Sequence, residues 1–441
     1  MVRSDSFTLE LEDDATDSRY IERWLLLLSG VFVAVNFIAL GIVRPASIPT
    51  NVIAFIVWTA GAIIAHIALN RLVPRRDVLL LPCVMLLSGW GLVIIDRLAP
   101  NFADRQTLWL AVSLCALLAV VALPDVLRWL RMYRYLWLVF GMSLFFATVL
   151  FGTNPSGFPG TPRLWLKFGT VYFQPSEALK IILVAFLASY LAEQYPALRR
   201  WHEGVHGRLW ALSPRVVGPI LLMWGLSVMV LVWQRDLGTA VLFFAVFIIL
   251  IYTASGSPLI PIGGAVLIAL AALVAYQLFD VVQLRFDIWI SPWPESDGRA
   301  YQIVQSLQAI ASGGIFGQGV ALGYPNYIPV VHSDFAFAAL AEEWGLIGVV
   351  GVLAVLAVLI WRGLRIALLR QSKPFYVFMA VGLCALLLVQ SVLIMGGVTR
   401  LLPLTGVTLP FISYGGSSML VSFIMVGLLL RLSDTEPDVM F

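Results

Sequence analysis

Apolar runs of about 20 residues recur along the whole chain, separated by short segments that carry arginine, proline or glycine. A helix of about 20 apolar residues crosses the roughly 30 Å hydrocarbon core of a bilayer. Such runs occupy 22–43, 51–72, 77–96, 106–123, 134–151, 174–195, 214–233, 236–254, 257–280, 335–361, 374–398 and 411–432. The pattern predicts an all-α integral membrane protein, a polytopic helical bundle of about 12 transmembrane helices. The separation at WQRDLGT is the least marked, and a single broken hairpin is the other reading there.

Two polar intervals are longer than the rest. One covers about 152–173; the other, about 281–333, exceeds what a helix connection needs, which usually marks function. Within the second, Ile303, Leu307 and Ile310 recur at helical spacing opposite Gln302, Gln305 and Gln308. This predicts an amphipathic helix over 301–311 lying at the membrane interface, with a re-entrant loop packed on the bundle as the alternative. SGGIFGQG follows, four glycines in eight residues, which permits sharp turns or close backbone approach to a ligand.

Composition agrees with the hydropathy pattern. The chain has 441 residues, 60% of them hydrophobic and 12% charged. A soluble domain is typically about 45–50% apolar and about 25% charged. A net charge of +3 is too small to argue for nucleic acid. Cys83, Cys115 and Cys384 lie in separate apolar runs and the four histidines are scattered, so neither a disulfide framework nor a metal site is expected. The opening MVRSDSFTLELEDDATDS is acidic, unlike a signal peptide, and 1–21 reads as a disordered cytoplasmic tail. With the N-terminus inside, 18 of the 28 Lys and Arg residues fall in cytoplasmic segments, among them Arg128, Arg131 and Arg134, and nine in outer ones. Both termini are therefore expected in the cytoplasm.

Ionisable residues inside spans are functional candidates by default. Pro175 suits a first helical position, so a helix starts there, and Glu177 and Lys180 lie on one face at i, i+3. They form either a structural ion pair or a fixed cation for an anionic substrate, steadied by its carboxylate. Asp236 is expected to cap a helix. Asp334 either caps the helix that begins near Phe335 or is a base delivered to the outer surface by the long loop. Glu342 lies about 12 Å further along that helix, too far to share a proton with Asp334. Glu342 and Glu343 are expected to satisfy polar partners within the bundle.

The segments FQPSEALK, QRDLGTA, YQIVQSLQAIASGGIFGQG, HSDFAFAALAEEWGLIG and GGVTRLLPLTGVTLPFISYGGSS, in that order, resemble the SEDS family, which includes RodA, FtsW and SpoVE. The resemblance covers 77–432 as the membrane domain, leaving 22–76 as an extra N-terminal helix pair and 433–441 as a cytoplasmic tail. It implies a core of about ten spans and a peptidoglycan glycosyltransferase of the bacterial cytoplasmic membrane, acting on lipid II at its outer face in cell elongation or division. A class B penicillin-binding protein, the transpeptidase, is the implied partner. The ALAEE segment leans to the RodA type. The resemblance makes Asp334 the catalytic carboxylate and His332, in the same motif, a substrate-binding candidate; Gln174, Ser176, Glu177 and Lys180 are to line the same cavity. Trp165, Arg163 and Arg400 are further substrate-binding candidates. The chain departs from the family pattern at Arg235, Arg400, Thr408, Leu164 and Tyr172, the last where a basic residue often stands.

The implied reaction joins two lipid-linked disaccharides, with Asp334 as general base and undecaprenyl diphosphate expelled with inversion. Lys180 is the first candidate to meet the diphosphate. A divalent cation, magnesium or manganese, bridging that diphosphate is chemically sensible, although no clustered ligands for one stand out. The competing reading is a lipid II flippase. Other lipid-linked sugar transferases and an idle scaffold share less of the pattern.

Overall fold

The computed structural model describes residues 3–154, 163–169, 171–204, 225, 229 and 236–434. Among these residues eleven helices are long and apolar enough to cross a membrane. The twelfth predicted crossing, 214–233, lies outside the described residues apart from 225 and 229, and so does most of the 433–441 tail. Contacts divide the chain into two units, the first drawn from 1–124, 308–366 and 411–437, the second from 125–307 and 367–410.

In the first unit, α1 (Arg3–Val43), α2 (Ile48–Leu72), α3 (Leu80–Leu98) and α4 (Pro100–Ala122) lead the chain, and α12 (Ala336–Leu368) and α14 (Gly416–Ser433) complete it. α1 packs on α3, while α4 packs on α2 and α14. α3 is buried on almost every side, so it forms the unit's centre. Segment 411–412 passes so close to α3 that a Cβ at Gly91 would lie 2.6 Å from the carbonyl oxygen of Phe411. α1 starts at Arg3, so residues expected to be a disordered tail continue the helix. At one end of the unit Glu22 is fully buried and accepts two hydrogen bonds from Arg76 Nη2, at 2.7 and 2.9 Å, with His66 Nδ1 at 2.7 Å. Asn70 closes the cluster against both His66 and Arg76.

The second unit contains α5 (Val126–Met132), α6 (Arg134–Phe151), α7 (Pro175–Gly204), α8 (Leu237–Ser255), α9 (Leu259–Leu278), α10 (Asp280–Ile290) and α13 (Pro374–Val398). α7 and α13 pack together and each contacts α8; α6 lies on α7 and α9 on α8. Only 11% of the α9 window and 17% of that of α6 are buried, which leaves both helices apolar surface suited to lipid. As expected, Asp236 caps α8, accepting from Thr239 N at 2.9 Å and from its hydroxyl at 2.7 Å.

The two long polar intervals hold more structure than the hydropathy pattern reveals. Residues 152–173 contain an antiparallel hairpin, β1 (Leu166–Phe168) with β2 (Val171–Phe173), extended by a bridge between Thr153 and Trp165. The second interval contains α10 and α11 (Tyr301–Gly313), within which the unit division falls. The buried side of α11 carries Ile303, Val304, Ser306 and Ala309. Ser306 donates to the Val398 carbonyl at 3.0 Å. This helix is therefore held by packing, and its buried stripe is rotated from the one that Leu307 and Ile310 suggested.

Candidate functional site

α12 is broken at Gly345, where φ is 65° and ψ is −164°. The break frees the N–H groups of Leu346 and Ile347, which donate to the carbonyls of Gly314 and Ile315 at 2.9 and 3.2 Å. In return Gln318 and Gly319 donate to the carbonyls of Glu342 and Glu343 at 2.9 and 3.0 Å. A Cβ on Gly345 would lie 2.3 Å from Gly317 N, so glycine is required on both conformational and steric grounds. The two adjacent carboxylates fix the same loop. Glu343 pairs with Arg97 Nε at 2.8 Å and accepts from Ala321 N at 2.9 Å; Glu342 accepts from Tyr324 N at 2.8 Å. Arg97 also donates to the Gly323 carbonyl at 2.8 Å. These acids organise residues 314–324, in line with the role expected of them.

Asp334 follows on this fixed loop, half-buried, two residues before α12 begins. The Ser333 hydroxyl donates to its Oδ1 at 2.9 Å. His332 is pinned on the other side, since Tyr414 N donates to its carbonyl at 2.9 Å. Phe102 stacks on Tyr414 with ring centroids 4.6 Å apart, and the His332 ring lies 5.0 Å from Phe102 and 5.7 Å from Tyr414. Burial among these rings lowers the His332 pKa, which favours the neutral imidazole. Burial also raises the Tyr414 pKa, opposed by Arg105, which bonds to the tyrosine side chain. Asp334, His332, Tyr414 and the exposed Arg105 thus form one constellation within the first unit.

The second unit holds the other motif. α7 starts at Pro175, as the sequence predicts. Lys180 Nζ donates to Glu177 Oε1 at 2.7 Å and to Gln390 Oε1 at 2.9 Å, and Gln390 in turn donates to the Thr408 carbonyl at 2.8 Å. Lys180 is 1% exposed, so its charge is met inside the protein by Glu177. The Ser176 hydroxyl is buried and, among the described residues, has no hydrogen-bond partner. Gln174 lies just ahead, its carbonyl accepting from Glu177 N at 3.1 Å. Just ahead of the hairpin Arg163 is exposed and Trp165 half-buried. Lys167 sits 5.8 Å from the centroid of the Tyr172 ring on the facing strand. Arg400, at φ 59°, donates to the carbonyls of Trp289 and Ile290, both at 2.8 Å. It borders a cavity of about 450 Å³ with Trp289, Ile290, Leu307 and Thr399. Among the described residues no three His, Cys, Asp or Glu side chains converge as a metal site.

Comparison with known proteins decides the family. The FtsW/RodA/SpoVE family, described as a cell cycle protein, matches residues 76–437. The chain belongs to this family. Among relatives of this FtsW/RodA/SpoVE protein, the peptidoglycan glycosyltransferase RodA of Mycobacterium bovis is 37% identical over 380 residues, 84% of this chain and 80% of the relative. A probable peptidoglycan glycosyltransferase FtsW of Pseudoalteromonas translucida is 32% identical over 80% of this chain and 88% of its own length. A chain from a structure described as "Structural coordination of polymerization and crosslinking by a peptidoglycan synthase complex" aligns with a TM-score of 0.65 and 27% identity, covering 81% of this chain and 97% of that one. Thermus thermophilus rod shape determining protein RodA aligns with a TM-score of 0.58 and 26% identity, covering 81% and 96%. Within this FtsW/RodA/SpoVE chain, sequence reasoning did not single out Arg105, Tyr414, Arg97 and Gln390 as site residues. Gln390 had a signal, a lone amide in an apolar span. The others gain their meaning from partners remote in sequence.

Proposed function

We propose that this chain is a peptidoglycan glycosyltransferase that polymerises lipid II at the outer face of the bacterial cytoplasmic membrane, with both termini in the cytoplasm. The names of its relatives support the glycosyltransferase activity. The observation that carries the residue assignment is the setting of Asp334. It is a carboxylate on a braced loop, oriented by Ser333, with an arginine held by Tyr414 in the same constellation.

The acceptor's GlcNAc 4-hydroxyl attacks C1 of the donor MurNAc while Asp334 takes the hydroxyl proton, a role that contributes about 10²–10⁴-fold. The C1–oxygen bond to undecaprenyl diphosphate breaks, and the α-linked donor becomes a β-1,4 glycan. A neutral His332 leaves Asp334 without a competing imidazolium. Arg105 meets the negative charge that gathers on the leaving diphosphate, where an oriented cation lowers the barrier most. Ser176, Glu177 and Lys180 provide a buried polar framework in the second unit, with the half-buried Gln174 just ahead of it, and Trp165, Arg163 and Arg400 are the outer groups offered to substrate. A divalent ion, magnesium or manganese, would add to the neutralisation of the diphosphate. A class B penicillin-binding protein is the proposed partner, consistent with the synthase complex that resembles this chain.

The test is polymerisation of labelled lipid II by purified wild type, Asp334→Asn and Arg105→Gln, with the partner present and its transpeptidase blocked. Strands from wild type, none from Asp334→Asn and about tenfold or more slower synthesis by Arg105→Gln are expected. Equal synthesis by folded Asp334→Asn would move the base elsewhere. No strands from any form would favour the flippase.

A further inference from the structure

The junction of α5 and α6 takes no part in the proposed reaction, yet it gathers charge. Arg128, Arg131 and Arg134 recur every three residues and, with Met132, Tyr135 and Glu193, line a cavity of about 330 Å³ in the second unit. Arg134 is positioned by Glu193 at 2.7 Å and by the Ser189 hydroxyl at 3.2 Å. The Arg131 guanidinium lies 5.7 Å from the Phe375 ring centroid, a contact that steadies the side chain and leaves its charge in place. Arg128 is exposed. Three guanidinium groups thus face one lining carboxylate, an excess of two positive charges.

The surroundings indicate what anion fits. α6 begins at Arg134, so the cavity sits where that span leaves the hydrocarbon. From it a stripe of Leu136, Val139, Phe140, Phe146 and Leu150 runs along α6, each between 49% and 74% exposed. A basic cavity at the head of an apolar stripe matches a molecule with a phosphate at one end and an acyl chain at the other. We propose that this cavity binds the phosphate headgroup of an anionic phospholipid, its acyl chain lying along α6. Under the orientation proposed above, this is a lipid of the cytoplasmic leaflet. Free phosphate shares the headgroup chemistry but has no use for the stripe.

The experiment is native mass spectrometry of the full-length protein, purified in detergent and supplied with phosphatidylglycerol, cardiolipin or phosphatidylcholine, with and without inorganic phosphate. Wild type should retain the two anionic lipids and lose phosphatidylcholine. Arg128→Gln/Arg131→Gln should bind the anionic lipids about 30-fold less, the scale expected for two juxtamembrane arginines. Arg299→Gln, at an exposed site paired with Glu295, serves as the control for loss of charge alone and should leave retention unchanged. Should the double variant fold poorly, the single exposed Arg128→Gln and the stripe variant Leu136→Glu report in its place, both with reduced retention. Unchanged retention in monodisperse variants would overturn the proposal. So would displacement of the lipid by inorganic phosphate, which would make this a site for the free anion. Neither readout depends on turnover at Asp334, so the result stands apart from the glycosyltransferase assignment.

Discussion

Asp334 and His332 are two residues apart, yet their surroundings set them different tasks. Asp334 receives a hydroxyl hydrogen bond from its neighbour, whereas His332 is packed among rings that disfavour its charge. The folded protein binds the His332 proton less readily than the unfolded chain does. Stability from this group is therefore intact at neutral pH and falls as pH drops below the ordinary 6.5. Thermal unfolding at about pH 7.5 and about pH 5.5 should show a drop in midpoint for wild type that is smaller in His332→Gln. At Tyr414 the hydroxyl holds Arg105 while the ring packs on Phe102. Tyr414→Phe should therefore slow lipid II polymerisation, by about tenfold, with an unchanged melting temperature. The spacing of Glu177 and Lys180 was readable in the sequence because both lie on one helical turn. Gln390 stands out locally only as a lone amide in an apolar span; that it shares the Lys180 ammonium, 210 residues away, no local pattern announces.

At the scale of elements, span positions followed directly from hydropathy. Predicted 134–151 and 374–398 coincide with α6 and α13, because an apolar run of that length has few other solutions in a bilayer. The break in α12 did not follow. AEEWGLIG reads as a continuing helix, and what interrupts it is backbone from 314–319 that takes over its hydrogen bonds. Gly345→Ala should destabilise the protein by about 1–3 kcal/mol from the dihedral alone, and by more from the clash with Gly317. Loss of folded protein on size exclusion would be the readout, and a well-folded variant would refute the account. The hairpin β1–β2 escaped for a related reason: three-residue strands in a loop leave too short an alternation to read.

At the scale of the molecule, the sequence conveys a membrane bundle but not its partition, since each unit is assembled from separated stretches of chain. The family match begins at residue 76, yet Arg76 is the residue that reaches back to Glu22 on α1. The N-terminal helices are thereby fastened to the first unit by a charge pair with no access to water: Glu22 is 0% exposed. Glu22→Ala should cost about 3–5 kcal/mol by stranding Arg76. Glu22→Ala/Arg76→Met should recover part of that loss. Melting temperatures of the single and double variants would measure the coupling.

The pairing of Arg97 with Glu343 also carries a consequence for how the chain is made. The partners of Glu22 are synthesised within 54 residues of it, but Glu343 follows Arg97 by 246. At about 5–20 residues per second, the ribosome delivers that carboxylate on the order of 10–50 s after the arginine has emerged. Throughout this interval a guanidinium at the end of a nascent membrane helix has no native counter-ion. Until Glu343 is made, that charge must rely on water or lipid headgroups at the helix end.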